Sequence, residues 1–328
     1  MSRILLALLL LGGCAARHPA PATQGTPASV QQRGQEAMAT LKAWEDGGRK
    51  GLAVEAEMAG FVEAMRFLGL WLYRMDMATA HGSDILAPWA QKDERWAKVY
   101  LARPVPEDVA KQCCIDVSFP AWVDDTPMAW LTVKGGWSTD GRSGFQPNFV
   151  FTDPNGAVVD MAAGVPDTLD SFTVTMPEPA PLDASMARRV RVLRDVIAHA
   201  PALPWPSYNT VVFSSADFGQ EDMLRVYLIP STPDPDLRLV SGWVVYTVEP
   251  GTEDIGKPMF YGNGPITNKN VDLPAGATTT GMFVTSVLPT PTEAHVFASL
   301  MYDLPLLVSS DYGLWRVEKG EVWLLRVY

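Results

Sequence analysis

The sequence contains few of the residues from which metal and redox sites are built. Its 328 residues include four histidines and three cysteines. None of the histidines stands in a His-Glu-x-x-His segment or in another metal-ligand spacing, and there is no second cysteine pair to complete a zinc site. We therefore expect the protein to bind no metal and no other cofactor.

Positive charge is also scarce. The chain has 26 Lys and Arg residues against 37 Asp and Glu residues, and its formal net charge is −11 at pH 7. Proteins that bind nucleic acid neutralise its phosphates with clustered Lys and Arg side chains. The charge balance therefore argues against a nucleic-acid partner.

Local catalytic motifs are missing as well. The segment Gly141-Arg142-Ser143-Gly144 lacks the glycine spacing of a serine-hydrolase nucleophile elbow, and the chain has no Ser-x-x-Lys nucleophile motif. Neither a Walker loop nor a dinucleotide-binding glycine motif occurs. These absences favour binding over catalysis, while an active site assembled from distant residues would leave no such motif.

Long hydrophobic runs do not occur in the interior of the sequence. The most apolar interior run, 67–73, is far shorter than the roughly 20 residues that a membrane-spanning helix needs. Another apolar run, Ile4–Leu11, follows the short positive start Met1-Ser2-Arg3 and precedes Gly12-Gly13-Cys14. This order of positive, apolar and small residues is typical of a secretory signal peptide.

The end of this leader, Leu11-Gly12-Gly13-Cys14, resembles the lipobox of bacterial lipoproteins. The resemblance implies that residues 1–13 are removed and that Cys14 carries lipid, with 14–29 as a flexible tether. Because Ala15 rather than Asp follows the cysteine, it also implies an outer-membrane protein that faces the periplasm. The alternative is an ordinary signal peptide that is cut after Ala15 or Ala16.

If Cys14 is lipidated, the adjacent residues Cys113 and Cys114 are the remaining cysteines. Neighbouring Cα atoms lie about 3.8 Å apart, closer than the roughly 4.4–6.8 Å that disulfides prefer, so a bridge between them would be strained. The pair is either a redox switch or two small buried hydrophobic residues next to Ile115 and Val117. The sequence favours the second interpretation and leaves the first open.

Hydrophobic periodicity predicts an α+β protein, with N-terminal helices followed by largely antiparallel strands. The proline-rich segment 177–181 suggests two domains or subdomains, 30–176 and 183–328. Helices are predicted at 30–46, 52–79 and 183–199, the last with Asp183 as its cap. Strands are predicted at 128–134, 148–152, 157–161, 171–176, 209–214, 223–229, 239–248, 281–288, 294–301, 305–310, 314–317 and 321–327.

Two groups of residues are candidates for binding a partner. Arg188, Arg191 and Arg194, together with Arg189, crowd one predicted helix of an otherwise acidic protein. The other group is Trp122, Trp130 and Trp137, because exposed tryptophans anchor protein interfaces and stack on sugars. The alternative interpretations are a solvated helix face for the arginines and core filling for the tryptophans.

Taken together, these features predict a membrane-anchored envelope lipoprotein that binds a protein partner without catalysis. Inhibition of, or immunity to, a toxin in the periplasm and an accessory role in an envelope complex would both suit such a protein. The alternative is a periplasmic hydrolase or a glycan-binding protein. A cleft that joins His81, His199 or His295 to a carboxylate would favour the enzyme.

Overall fold

The structure is a computed structural model. The described residues are 27–91, 93–104, 114–137, 145–152, 179–199, 203, 205–234, 237–261, 267–269 and 281–328. The lipobox with Cys14 lies outside them. So do the predicted strands 157–161 and 171–176.

Among the described residues, four α-helices and mostly antiparallel sheets confirm the predicted α+β class. The helices are α1 (Pro27–Asp46), α2 (Ala56–Ala90), α3 (Ala184–His199) and α4 (Glu293–Met301). The strands are β1 (Leu101–Pro104), β2 (Cys114–Val123), β3 (Thr126–Trp137), β4 (Phe145–Thr152), β5 (Ala180–Pro181), β6 (Tyr208–Ser214), β7 (Leu224–Pro230), β8 (Leu237–Leu239), β9 (Trp243–Val248), β10 (Met259–Tyr261), β11 (Thr267–Lys269), β12 (Met282–Thr285), β13 (Leu306–Ser309), β14 (Gly313–Glu318) and β15 (Glu321–Val327).

The chain forms two compact units, each built from separate stretches of sequence. Unit 1 contains the described residues of Met1–Tyr73, Pro230–Gly242 and Gly262–Tyr328, and unit 2 contains those of Arg74–Ile229 and Trp243–Tyr261. The sequence prediction instead divides the chain once, between 176 and 183. A proline-rich segment is a local signal at one place in the sequence, whereas a unit assembled from distant stretches leaves no such local signal.

Unit 1 contains a sheet in the order β12-β13-β14-β15, and alternate residues of its strands point to opposite faces. One face packs Leu306, Val308, Trp315 and other residues against apolar side chains of α2 and α4. On the other face, Leu307, Leu314 and Leu325 pack against α1. The strands therefore separate two apolar clusters.

The prediction of a strand at 294–301 is wrong, because these residues belong to α4. β12 and β13 are parallel, and parallel neighbours need a crossover connection, which is usually helical. The short helix is buried on most sides and so shows no amphipathic period. Its β-branched and aromatic residues, Val296 and Phe297, suit a strand equally well.

Helix α2 begins later and ends later than the predicted 52–79. Leu52 is not helical because its N–H donates to the Leu324 carbonyl of β15 at 2.8 Å. Within α2, Gly69 and Gly82 allow close packing. A Cβ on Gly69 would lie 2.6 Å from the Val296 Cβ of α4, and one on Gly82 would lie 3.1 Å from a Val117 methyl of β2.

The described part of unit 2 contains two sheets, α3 and residues 74–90 of α2. The first has the order β1-β2-β3-β4, with β5 paired to β3, and the second has the order β10-β9-β7-β6. The core of the second sheet forms where Val226, Leu228 and Val244 pack against Val190 and Leu193 of α3. All seven residues of β7 are buried, so this strand has protein on both of its faces.

The predicted strand 239–248 contains β9 and only the last residue of β8, and these two strands belong to different sheets. Gly242 separates them with a φ of 85°, a left-handed conformation that favours glycine. The prediction treated this glycine as part of a continuous strand. β14 and β15 are joined by a tight turn, with positive φ at both Lys319 and Gly320.

Candidate partner-binding surface

Helix α3 carries all four arginines of the first predicted group. Its beginning agrees with the sequence, since the Asp183 carboxylate accepts the Met186 N–H at 2.9 Å, as a helix cap does. From this cap, the helix places Arg188 and Arg189 towards the protein and Arg191 and Arg194 towards solvent.

Arg188 is a structural residue of unit 2. Its guanidinium donates to the backbone carbonyls of Thr252, Asp222 and Glu249 at 2.7–2.8 Å, and Nη1 lies 3.0 Å from Asp222 Oδ2. The side chain is buried. The prediction that Arg188 binds a partner is therefore wrong, because its donors are committed inside the protein.

Arg189 is buried in a similar way. Its guanidinium donates two hydrogen bonds to the Asp217 carboxylate, at 3.1 and 2.7 Å, in a bidentate ion pair. Planar pairs of this kind are the strong form of the Arg–carboxylate interaction. Together, Arg188 and Arg189 fix α3 to the loops that follow β6 and β9.

Two members of the predicted groups meet at the surface. The Arg194 guanidinium carbon lies 4.6 Å from the centre of the Trp122 ring, in cation–π contact. One turn away in each direction along α3 lie Arg191 and Ile197, and the Ile197 side chain is 46% exposed. We call Trp122, Arg191, Arg194 and Ile197 the Arg–Trp surface.

The ion pairs of this surface are exposed. Arg191 Nη2 lies 2.7 Å from a Glu253 oxygen, and Arg194 Nε lies 3.0 Å from an Asp195 oxygen. Exposed pairs of this kind contribute about 0–1 kcal/mol each. Both arginines can therefore exchange their present partners for those of another protein at little cost.

The other predicted residues lie elsewhere. Trp130 is only 2% exposed, which removes it from any binding surface and agrees with core filling. Trp137 ends β3 and Cys114 begins β2, and the side chains of both lie outside the described part of the structure, as does all of Cys113. The proposed redox pair therefore stays a prediction.

An ionisable group that sequence periodicity missed is Asp76. It lies in the predicted helix 52–79, and its side chain is buried and accepts a hydrogen bond from Asn209 Nδ2 at 3.1 Å. Burial raises the pKa of Asp76 to about 6, although the Asn209 bond opposes this shift. Asn209 lies 133 positions away in the chain, so no local signal indicated the contact.

His295 occupies the third position of α4. Its Nδ1 accepts the Thr292 N–H at 3.0 Å, in the manner of the capping-box acceptor at this position. Burial lowers the pKa of His295 to about 4, so the ring is neutral at pH 7. Its capping contact gives His295 a structural role.

Across the described residues, no group of three or more His, Cys, Asp or Glu side chains is placed to hold a metal ion. Nor is any helix among them both long and apolar enough to cross a membrane. The chain matches no family model, no curated protein and no solved structure.

Proposed function

We propose that the chain is a lipid-anchored protein of the cell envelope whose folded part binds a protein partner through the Arg–Trp surface. The observation that carries the binding proposal is the stacking of Arg194 on Trp122 at an exposed face of α3. Arg and Trp are the residues most enriched among those that dominate interface energies.

The surface also combines rigidity with exposure. Trp122 is partly buried against the core of unit 2, and its backbone N–H donates to the Arg95 carbonyl at 2.7 Å. A ring that is already fixed loses little entropy when a partner covers it. Ile197 adds an exposed apolar side chain beside it, which gives the partner an apolar contact within a charged rim.

The experiment that tests binding is photo-crosslinking in cells. We expect a photoreactive amino acid at Ile197 to capture one partner protein, and the same amino acid at Val287 of unit 1 to capture none. Val287 is a matched control because it is also apolar and exposed. Equal capture at both positions, or capture at neither, would exclude the Arg–Trp surface as the binding site.

Arg194→Ala measures the energy of the contact. We expect binding to the captured partner to weaken by about 2 kcal/mol, or roughly 30-fold, because the variant removes the group stacked on Trp122. Isothermal titration with the purified partner gives the affinity. Lys257→Ala, which changes an exposed cation outside the Arg–Trp surface, should bind like the unmodified protein.

Anchoring is tested separately. We expect Cys14→Ser to abolish labelling of the protein by radioactive fatty acid and to shift the protein from the membrane fraction to the soluble fraction, because the lipidated side chain is lost. A Cys113→Ser protein is the control and should remain labelled. A labelled, membrane-bound Cys14→Ser protein would disprove the lipobox interpretation.

A further inference from the structure

Helix α1 is joined to the rest of unit 1 by a short glycine-rich segment, Gly47-Gly48-Arg49-Lys50-Gly51. All five residues are exposed. Gly48 and Arg49 have φ values of 82° and 60°, so the chain turns sharply where the helix ends. This segment can therefore let α1 change its direction while the sheet of unit 1 stays as it is.

Among the described side chains of α1, few contact the rest of unit 1. Ala37, Leu41 and Trp44 are its apolar anchors, spaced at i, i+4 and i+7 on one side of the helix. Most of its other described side chains are exposed. The cluster they enter is separate from the cluster that packs β12–β15 against α2 and α4, so the sheet keeps that second core when α1 leaves.

One ionic contact secures the end of the helix. The guanidinium of Arg316 on β14 lies 4.9 Å from the centre of the Trp44 ring, and its Nη1 lies 3.7 Å from a Glu45 oxygen. Trp44 also contacts Trp323 of β15, with 5.7 Å between ring centres. Trp44 is thus the residue on which the docking of α1 depends most.

We propose that α1 acts as a latch. Whether α1 is docked on the sheet or released sets the maximum distance between unit 1 and the membrane. This inference rests on the proposed lipid at Cys14. With α1 docked, the chain between Cys14 and Pro27 can span at most about 45 Å. With α1 released but still helical, the first residue that stays attached to the sheet is Gly51 and no longer Pro27. The chain from Cys14 to Gly51 can span at most about 90 Å. The latch therefore switches the protein between a short and a long reach.

Hydrogen exchange of the full-length lipidated protein in vesicles tests the release. We expect the amides of α1 to exchange at least 100-fold faster than those of β13 and β14, because α1 opens without the sheet. Trp44→Ala should accelerate exchange in α1 a further tenfold or more and leave β14 unchanged. Met38→Ala, at an exposed position of the same helix, should change neither rate.

Fluorescence energy transfer tests the reach. With a fluorescent amino acid at Val287 of unit 1 and an acceptor lipid in the vesicle, Trp44→Ala should lower the transfer relative to Met38→Ala. Exchange of α1 and β14 at the same rate, or unchanged transfer after faster exchange, would overturn the latch. A protein that fails to bind vesicles at all would instead overturn the lipid anchor, and the exchange rates would still decide whether α1 opens alone.

Discussion

Arg188→Ala is expected to destabilise unit 2 by about 3–5 kcal/mol. The substitution removes three hydrogen bonds from a buried guanidinium to partly buried carbonyls, and it removes the charge that faces Asp222. Loss of one partner from a buried ionic network costs this much because the remaining polar groups stay desolvated. Urea unfolding followed by tryptophan fluorescence measures the change.

The matched control is Arg194→Ala on the same helix. Its ion pair with Asp195 is exposed, so we expect a change within about 1 kcal/mol. The same removal of an arginine should therefore have a large effect at one position and a small effect two turns later. Equal unfolding midpoints for the two variants would show that the carbonyl contacts of Arg188 contribute no stability.

The second large effect is a dependence of stability on pH, which has opposite signs in the two units. Asp76 has a pKa near 6 in the folded protein and about 3.9 when unfolded. The unfolded chain therefore loses this proton first as the pH rises. Unit 2 loses about 3 kcal/mol of stability between pH 4 and pH 6, and the contribution is constant above that range.

The pH dependence of stability that His295 causes in unit 1 has the opposite sign. Its pKa is about 4 in the folded protein and about 6.5 when unfolded, so the unfolded chain gains this proton first as the pH falls. Unit 1 is expected to lose about 3 kcal/mol between pH 6.5 and pH 4. In one cooperative unfolding transition the two contributions would largely cancel.

Native-state hydrogen exchange at pH 4.5, 5.5 and 7 separates the two contributions. Asp76→Asn should remove the pH dependence in unit 2 and raise its stability at pH 7. His295→Gln keeps a hydrogen-bond acceptor in the capping position and should remove the dependence in unit 1. Slopes of the same sign in both units, or slopes that survive these substitutions, would contradict the assigned pKa shifts.

Local sequence signals located most of the helices and strands. The predicted strands 128–134 and 321–327 lie within β3 and match β15, because both segments are rich in the β-branched and aromatic residues that favour strands. Asp183 predicted the start of α3 because a cap acts on residues within one turn. The prediction of 294–301 failed because burial on most sides of α4 removed the period that separates a helix from a strand.

The candidate site was predictable only in part. The sequence grouped Arg188 with Arg191 and Arg194 by composition, yet which of these arginines is buried depends on carbonyls up to 64 positions away. The pairing of Arg194 with Trp122 joins a helix to a distant strand. The environment of Asp76 was equally unpredictable, because neither its burial nor its contact with the distant Asn209 leaves a local pattern in the sequence.

The hydrogen bond from Leu52 to Leu324 has a consequence for solubility. β15 is the last strand of its sheet, and the segment around Leu52 lies along its outer edge. Uncovered edges are the places where sheets of different molecules join and aggregate. Because Leu52 follows the glycine-rich segment, the segment around Leu52 continues to cover this edge when α1 is released. A fragment that starts at α2 lacks Leu52, so its β15 edge would be exposed to other copies of the fragment.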